Sequence, residues 1–189
     1  MKDINLFALE NSVYLMEVGS KSELDKNDSC DGYLIRSSES EARRIIDSLK
    51  GSGKKIAFVG GDSAVNRRAI ETLKIDYLVS LERDSGAHNL KQRDSGFNHV
   101  LAKEAKRRGI RILVDMSELR LLKGKELAIR LEQLIQNVKI ARKAGCSLGI
   151  VSLAESKKHL VDSKARMSFG FSLGMNSSQA RDSVSFSLK

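Results

Sequence analysis

The chain has 189 residues, 41% of them apolar, which suits a single globular domain spanning 1–189 with a sizeable core and excludes a disordered chain. It holds no run of about 18 apolar residues, so nothing reads as a membrane span, and Asp3 and Glu10 interrupt the opening stretch, so no secretory leader is expected. Lys and Arg number 33 against 24 Asp and Glu, a net charge of +9 with a pI near 9.6, which makes phosphate-rich nucleic acid a candidate partner; the scarcity of aromatics, with no Trp, favours contacts to backbone and folded RNA shape over base stacking.

In chain order, Ile4 to Leu9 is the first apolar run and Val13 to Val18 the second, helix or strand. Gly19 to Ser29 is polar. Tyr33 to Ile35 reads as a strand ending at Arg36. Ser38 with Glu41 forms a capping box, and Ala42, Ile45, Ile46 and Leu49 follow at helical spacing. Gly51 and Gly53 break that helix before a strand at Lys55 to Val59. After Gly60-Gly61, Asp62 or Ser63 caps a helix through Leu73, and Ile75 to Leu81 is the next strand. A polar loop from Glu82 to Asp94 leads to Ser95, read as the cap of a helix whose apolar face is Phe97, Leu101 and Ala105, flanked by Val100 and Ala102. His99, Lys103, Lys106 and Arg107 share its other face, and Gly109 ends it.

Ile110 to Val114 is a strand followed by Asp115, and Met116 to Lys123 a short connection. A long helix, Lys125 to Ala144, closes at Gly145 and precedes a strand at Cys146 to Val151. Ser152 to His159 is polar and basic. Phe169 to Met175 and Val184 to Leu188 are the last apolar stretches, with Asn176-Ser-Ser178 as the cap of a final short helix. Cys30 and Cys146 make no metal or disulfide pattern and read as buried thiols in a reducing cytoplasm. Proline is absent, so the turns fall to Gly, Ser, Asn and Asp.

Strand and helix alternating at short spacing predict an α/β chain with parallel strands and outer helices. Six or seven candidate strands point to an irregular TIM-like (β/α) barrel, shortened because the chain falls below the roughly 250 residues of an eightfold one. Gly60-Gly61 lacks the other glycines of a dinucleotide fingerprint, and Gly51-Ser-Gly-Lys54 stands between a helix and a strand, the wrong context for a P-loop. In such folds the working face lies at the carboxyl ends of the strands. The residues beyond the strand ends are largely basic: Arg36, then Arg67 and Arg68, then Arg83, His88, Lys91 and Arg93 with His99, then Lys157, Lys158 and His159. With free helix amides beside it, such a rim would hold phosphate. Three histidines with no HxH or HxxxH pair are too few for a metallohydrolase, although Asp3, Asp115 and His99 are candidates to meet in space.

The stretch Gly96-Phe-Asn-His-Val-Leu-Ala-Lys103, with Ile75-Asp-Tyr-Leu-Val-Ser80 before it and the strand ending at Asp115 after it, resembles the family of archaeal ribonuclease P protein component 3. Cys146 to Ala154, Leu173-Gly-Met175 and Gln179-Ala-Arg181 fit the later half of the same pattern. Ser163-Lys-Ala-Arg166 stands where relatives carry Pro-Arg-Asp-Leu, and the loop from Arg83 to Arg93 replaces a short turn. The resemblance implies a TIM-type barrel related to metal-dependent phosphoesterases but without their metal site. It implies a subunit of the RNA-based endonuclease that removes the 5′ leader from precursor tRNA, with catalysis and Mg2+ belonging to the RNA and no cofactor on the protein. Its implied partners are the RNase P RNA, a small ferredoxin-like subunit, other RNase P proteins and, indirectly, precursor tRNA. RNA contacts are expected at Arg36, Arg67, Arg68, Arg83, Lys91, Arg93, His99, Lys103, Arg107, Lys157, Lys158 and Arg166. A metal-dependent phosphoesterase or nuclease of the related barrel is the alternative.

Overall fold

The computed structural model describes residues 2–24, 29–84 and 94–186. Its strands are β1 (Ile4–Asn5), β2 (Val13–Val18), β3 (Gly32–Ile35), β4 (Lys55–Val59), β5 (Tyr77–Val79), β6 (Arg111–Asp115) and β7 (Leu148–Val151). They pair in chain order as one sheet, each parallel to the next. Two backbone bonds join the last strand to the first: Leu153 N–H to Ile4 O at 3.0 Å and Leu6 N–H to Ala154 O at 2.9 Å. The sheet therefore curls into a barrel, as the strand count predicts.

Parallel strands need a crossover. Helices α1 (Glu39–Ser48), α2 (Ser63–Thr72) and α3 (His99–Arg108) follow β3, β4 and β5. The four-residue α4 (Met116–Leu119) and the long α5 (Gly124–Ala144) follow β6, and α6 (Ser163–Ser172) and α7 (Ser177–Ser183) follow β7. Among the described residues no α-helix follows β1 or β2, only a 3-10 turn at Lys21–Glu23 after β2, and this is where the barrel is trimmed.

Alternate residues along each strand face opposite sides. Ile4, Leu15, Leu34, Val59, Val79 and Leu113 fill the barrel interior. Tyr33, Ile35, Phe58, Leu78 and Ile112 face outward, against Ile45 of α1, Ile70 of α2, Leu101 and Ala105 of α3 and Ala141 of α5. The apolar face of α3 thus packs on the barrel wall and not inside it. A second outer layer joins Val114 and Ile150 to Leu134 and Val138 of α5 and to Leu173 and Met175 after α6. At the amino end of the strands, Phe186 closes the barrel beneath Arg111, whose guanidinium lies 4.3 Å from the ring centroid and donates to Ser185 O at 2.8 Å. Gly149 makes the room: a Cβ there would stand 2.8 Å from the Phe186 ring.

Several boundaries differ from the sequence expectation. The cap of α3 is Asn98, whose side chain accepts the Leu101 N–H. Ser95 is buried just upstream, and its carbonyl accepts from Asn137 Nδ2 at 3.2 Å. Val100 is 71% exposed, so it stands outside the apolar face. Ser38 caps α1, but the Glu41 carboxylate turns away to the Lys21 N–H, so the capping box is not reciprocal. The strand at 75–81 is only Tyr77–Val79, because Ser80 turns into a left-handed conformation at φ 49°. The final capping box at Asn176 and Gln179 is complete, and Cys30 and Cys146 are both buried and free.

Candidate nucleic-acid interface

Helices that follow strands run back antiparallel to them, so their amino ends stand at the carboxyl rim of the barrel and their carboxyl ends at the opposite end. The arginines expected to arm that rim are occupied. Arg36 Nε binds Glu17 Oε1 at 2.9 Å, Arg67 Nε binds Glu71 Oε1 at 2.9 Å one turn along α2, and Arg68 binds Glu39. Arg83 stands 3.5 Å from Glu118. Such surface pairs contribute little to stability, but each sets a carboxylate against the cation that was to meet phosphate.

The first-turn amides of five helices are capped by side chains, while α5, preceded by Lys123, carries no side-chain cap. Ser38, Asp62, Asn98, Asp115 and Asp162 each accept an amide of the first turn they precede. Asp62, Asp115 and Asp162 also place a carboxyl where an incoming phosphate would sit. Asp162 is held below the usual carboxylate range by the Ala165 and Lys164 amides, whereas burial pushes Asp115 up to about 6 against its bonds from Ser117 and Glu118. This corrects the expectation of open, phosphate-ready helix ends for α1, α2, α3, α4 and α6.

Beside the rim is a mixed-charge cluster. Glu82, 3% exposed, lies 3.6 Å from Arg130 of α5, and Arg130 also stands 3.6 Å from Glu118. Burial pushes the Glu82 carboxyl up to about 7, opposed by Arg130 and reinforced by Glu118. The Arg130 guanidinium donates to Arg83 O at 3.0 Å, which ties the first half of α5 to the turn after β5.

The remaining expected contacts are scattered. Lys157 and Lys158 are exposed on the 3-10 turn after β7, and His99 is exposed at the start of α3. Lys91 and Arg93 lie outside the described residues. Arg166 is a correction: at 2% exposure it is among the most buried large side chains. Its Nη1 donates to Asp3 Oδ1 at 2.8 Å and Ile150 O at 2.8 Å, and its Nε to Val161 O at 3.1 Å, so it has no surface to offer RNA. Asp3, Asp115 and His99 do not converge: Asp3 serves Arg166, Asp115 caps α4, and His99 is on the surface. Among the described residues no group of three His, Cys, Asp or Glu side chains is placed to hold a metal ion.

Lys103 and Arg107 lie on the outer wall. Arg107 is about 12 Å farther from the rim than His99, at 1.5 Å per helical residue, and its guanidinium is held by Glu104 at 2.5 Å. Beside α3 runs α5; Ala102 and Ala105 of α3 share one packed layer with Ala141 and Ala144 of α5. The exposed flank of this helix pair carries Lys103 and Lys106 on α3 and Lys139 and Lys143 on α5. Lys106 reaches across to the α5 terminus, where a Cβ on Gly145 would stand 2.8 Å from its Nζ. No ion pair among the described residues involves any of these four lysines. Sequence reasoning placed Lys103 and Lys106 on one helix face but missed Lys139 and Lys143; their i, i+4 spacing was visible, their approach to α3 was not.

The family resemblance read from the sequence is borne out by comparison with known proteins. The chain is 31% identical over 166 residues to ribonuclease P protein component 3 of Methanothermobacter thermautotrophicus, covering 86% of this chain and 64% of that protein. It is 37% identical over 134 residues to the component 3 protein of Thermococcus gammatolerans, covering 70% and 59%. The chain thus spans about three-fifths of the length of these curated relatives. No protein-family model matches it. Among solved structures, a chain of an archaeal ribonuclease P with mature tRNA, determined by cryo-EM, superposes with a TM-score of 0.74 at 22% identity, over 97% of this chain and 86% of that one. An amidohydrolase superposes with a TM-score of 0.57 at 12% identity, over 82% and 41%. These superpositions bear on the fold alone and agree with a TIM-like barrel.

Proposed function

We propose that this chain is a protein subunit of ribonuclease P, the RNA-based endonuclease that removes the 5′ leader from precursor tRNA, and that it supports the catalytic RNA without performing the chemistry. The similarity to component 3 proteins over most of the chain carries this reading. The net charge of +9 supports it, because an RNA whose phosphates are neutralised by lysine and arginine folds and packs at lower cost. In this reading Mg2+ is bound by the RNA and used there. The chain meets the RNase P RNA directly and precursor tRNA indirectly, alongside a small ferredoxin-like subunit and other RNase P proteins in the cytoplasm. Among the described residues no helix is long and apolar enough to cross a membrane.

The isolated chain is therefore expected to release no 5′ leader from precursor tRNA, whether Mg2+, Mn2+ or Zn2+ is supplied. Scarce histidine and the scattering of Asp3, Asp115 and His99 motivate that expectation. Gel analysis of end-labelled precursor tRNA checks it. Metal-dependent cleavage by the protein alone, at rates comparable with the RNA-containing enzyme, would instead favour a phosphoesterase of the related barrel.

A further inference from the structure

We propose that RNA docks on the outer wall formed by α3 and α5, through Lys103, Lys106, Lys139 and Lys143, and not on the carboxyl rim of the barrel; this rests on the ribonuclease P reading and names the surface it uses. The contrast in charge state carries the argument. At the rim, Arg36, Arg67, Arg68 and Arg83 each face a glutamate, and side chains cap the first turns of α1, α2, α3, α4 and α6, leaving α5 as the helix there without a side-chain cap. On the wall, the four lysines are exposed, and none is in an ion pair among the described residues.

Their spacing suits a backbone. Lys103 and Lys106 are one turn apart, as are Lys139 and Lys143, so each helix presents a pair of ammonium groups on one face. Packed neighbouring helices stand about 8–10 Å apart, and Lys106 leans toward the end of α5, so the pairs form one cationic surface and not two. Lysine ammonium groups recognise phosphate as point charges and impose no base preference. Partners of that kind are folded RNA strands read through their sugar–phosphate backbone. A competing role exists, since Lys106 and Lys143 fall in the last turns of α3 and α5, where cations complement the helix dipole. Lys103 and Lys139 lie about a turn or more before the ends of their helices and are not explained that way.

The test is binding of an archaeal RNase P RNA transcript over a salt series. The unaltered chain is compared with a Lys103→Ala, Lys106→Ala, Lys139→Ala, Lys143→Ala variant, with a variant carrying Arg at the same positions, and with a rim variant (Arg36→Gln, Arg67→Gln, Arg68→Gln). Removing one lysine–phosphate interaction flattens the log–log salt slope by roughly 0.7–0.9. The wall alanine variant is expected to lose a slope of about 3, the arginine variant to keep the native slope, and the rim variant to lose less than about 1. Native circular dichroism is expected throughout, because the wall lysines are exposed. A native slope in the wall alanine variant overturns the assignment, as does loss of slope in the rim variant alone. So does a wall variant that loses a protein partner while binding RNA normally, which would make the wall an acidic-protein surface. If the unaltered chain binds the RNA with no salt dependence, the ribonuclease P reading itself fails and the wall assignment fails with it.

Discussion

Asp3→Ala is expected to destabilise the fold by about 3–5 kcal/mol, because it strands the Arg166 charge in the interior. Asp3 Oδ1 accepts from the Ile4 amide at 2.8 Å, from the Ser152 amide at 3.1 Å and from Arg166 Nη1 at 2.8 Å. One carboxylate therefore joins β1, the end of β7 and α6 at the seam where the barrel closes. Arg166, 2% exposed, has no route to water once its partner is gone. For a domain of this size a loss of that order lowers Tm by roughly 6–20 °C, measured by thermal denaturation. Arg166→Met is expected to cost less, since it removes the cation and leaves Asp3 with two amide donors. The double variant should be less damaged than the sum of the two, by a coupling of about 0.5–3 kcal/mol. Additive losses, or an Asp3→Ala variant within about 0.5 kcal/mol of native, the ordinary range for surface changes, would show that the pair does not hold the seam.

Gly96→Ala is expected to cost more than about 3 kcal/mol, combining left-handed backbone strain of about 1–2 kcal/mol with a backbone collision. Gly96 has φ 71°, and a Cβ there would stand 2.2 Å from Leu81 O and 2.8 Å from Asn66 Nδ2. Neither atom can yield. Asn66 is fully buried; its Oδ1 accepts the Gly61 N–H at 3.0 Å, and its Nδ2 faces the carbonyls of Gly61 at 3.0 Å, Leu81 at 2.5 Å and Gly96 at 3.1 Å. That side chain ties the exits of β4 and β5 to the approach to α3, so displacing Leu81 or Gly96 breaks several buried bonds together. Denaturant unfolding of Gly96→Ala measures the loss. A near-native midpoint would show that the loop relaxes freely around a methyl group.

Local patterns carried most of the fold. The four-residue steps of Leu101 and Ala105 identify the packed face of α3, and Gly109 and Gly145 mark helix ends because both adopt the left-handed conformation there. Errors arose where two residues compete for one role, as with Ser95 and Asn98, both good caps three positions apart. They also arose where partners are distant. Asp3 and Arg166 are joined only by closure of the barrel, and no short-range spacing announces that pair. Arg36 meets Glu17 because β2 and β3 pair in a register that sets Glu17 beside Leu34, information absent from either segment alone. The rim looked open because its cations were counted without the carboxylates that folding brings to them. In the stretch Gly96 to Lys103 that carried the family resemblance, Gly96 takes a left-handed backbone and Asn98 caps α3.

The most direct measurement of the central claim is leader cleavage in reconstituted reactions holding precursor tRNA, an archaeal RNase P RNA, Mg2+ and the ferredoxin-like subunit, with and without this chain. Addition of the chain is predicted to raise the rate of 5′ leader removal at limiting Mg2+, with the cleavage site unchanged and no cleavage when the RNA is omitted. Cleavage without the RNA, or a rate indifferent to the chain at every Mg2+ concentration, would contradict it.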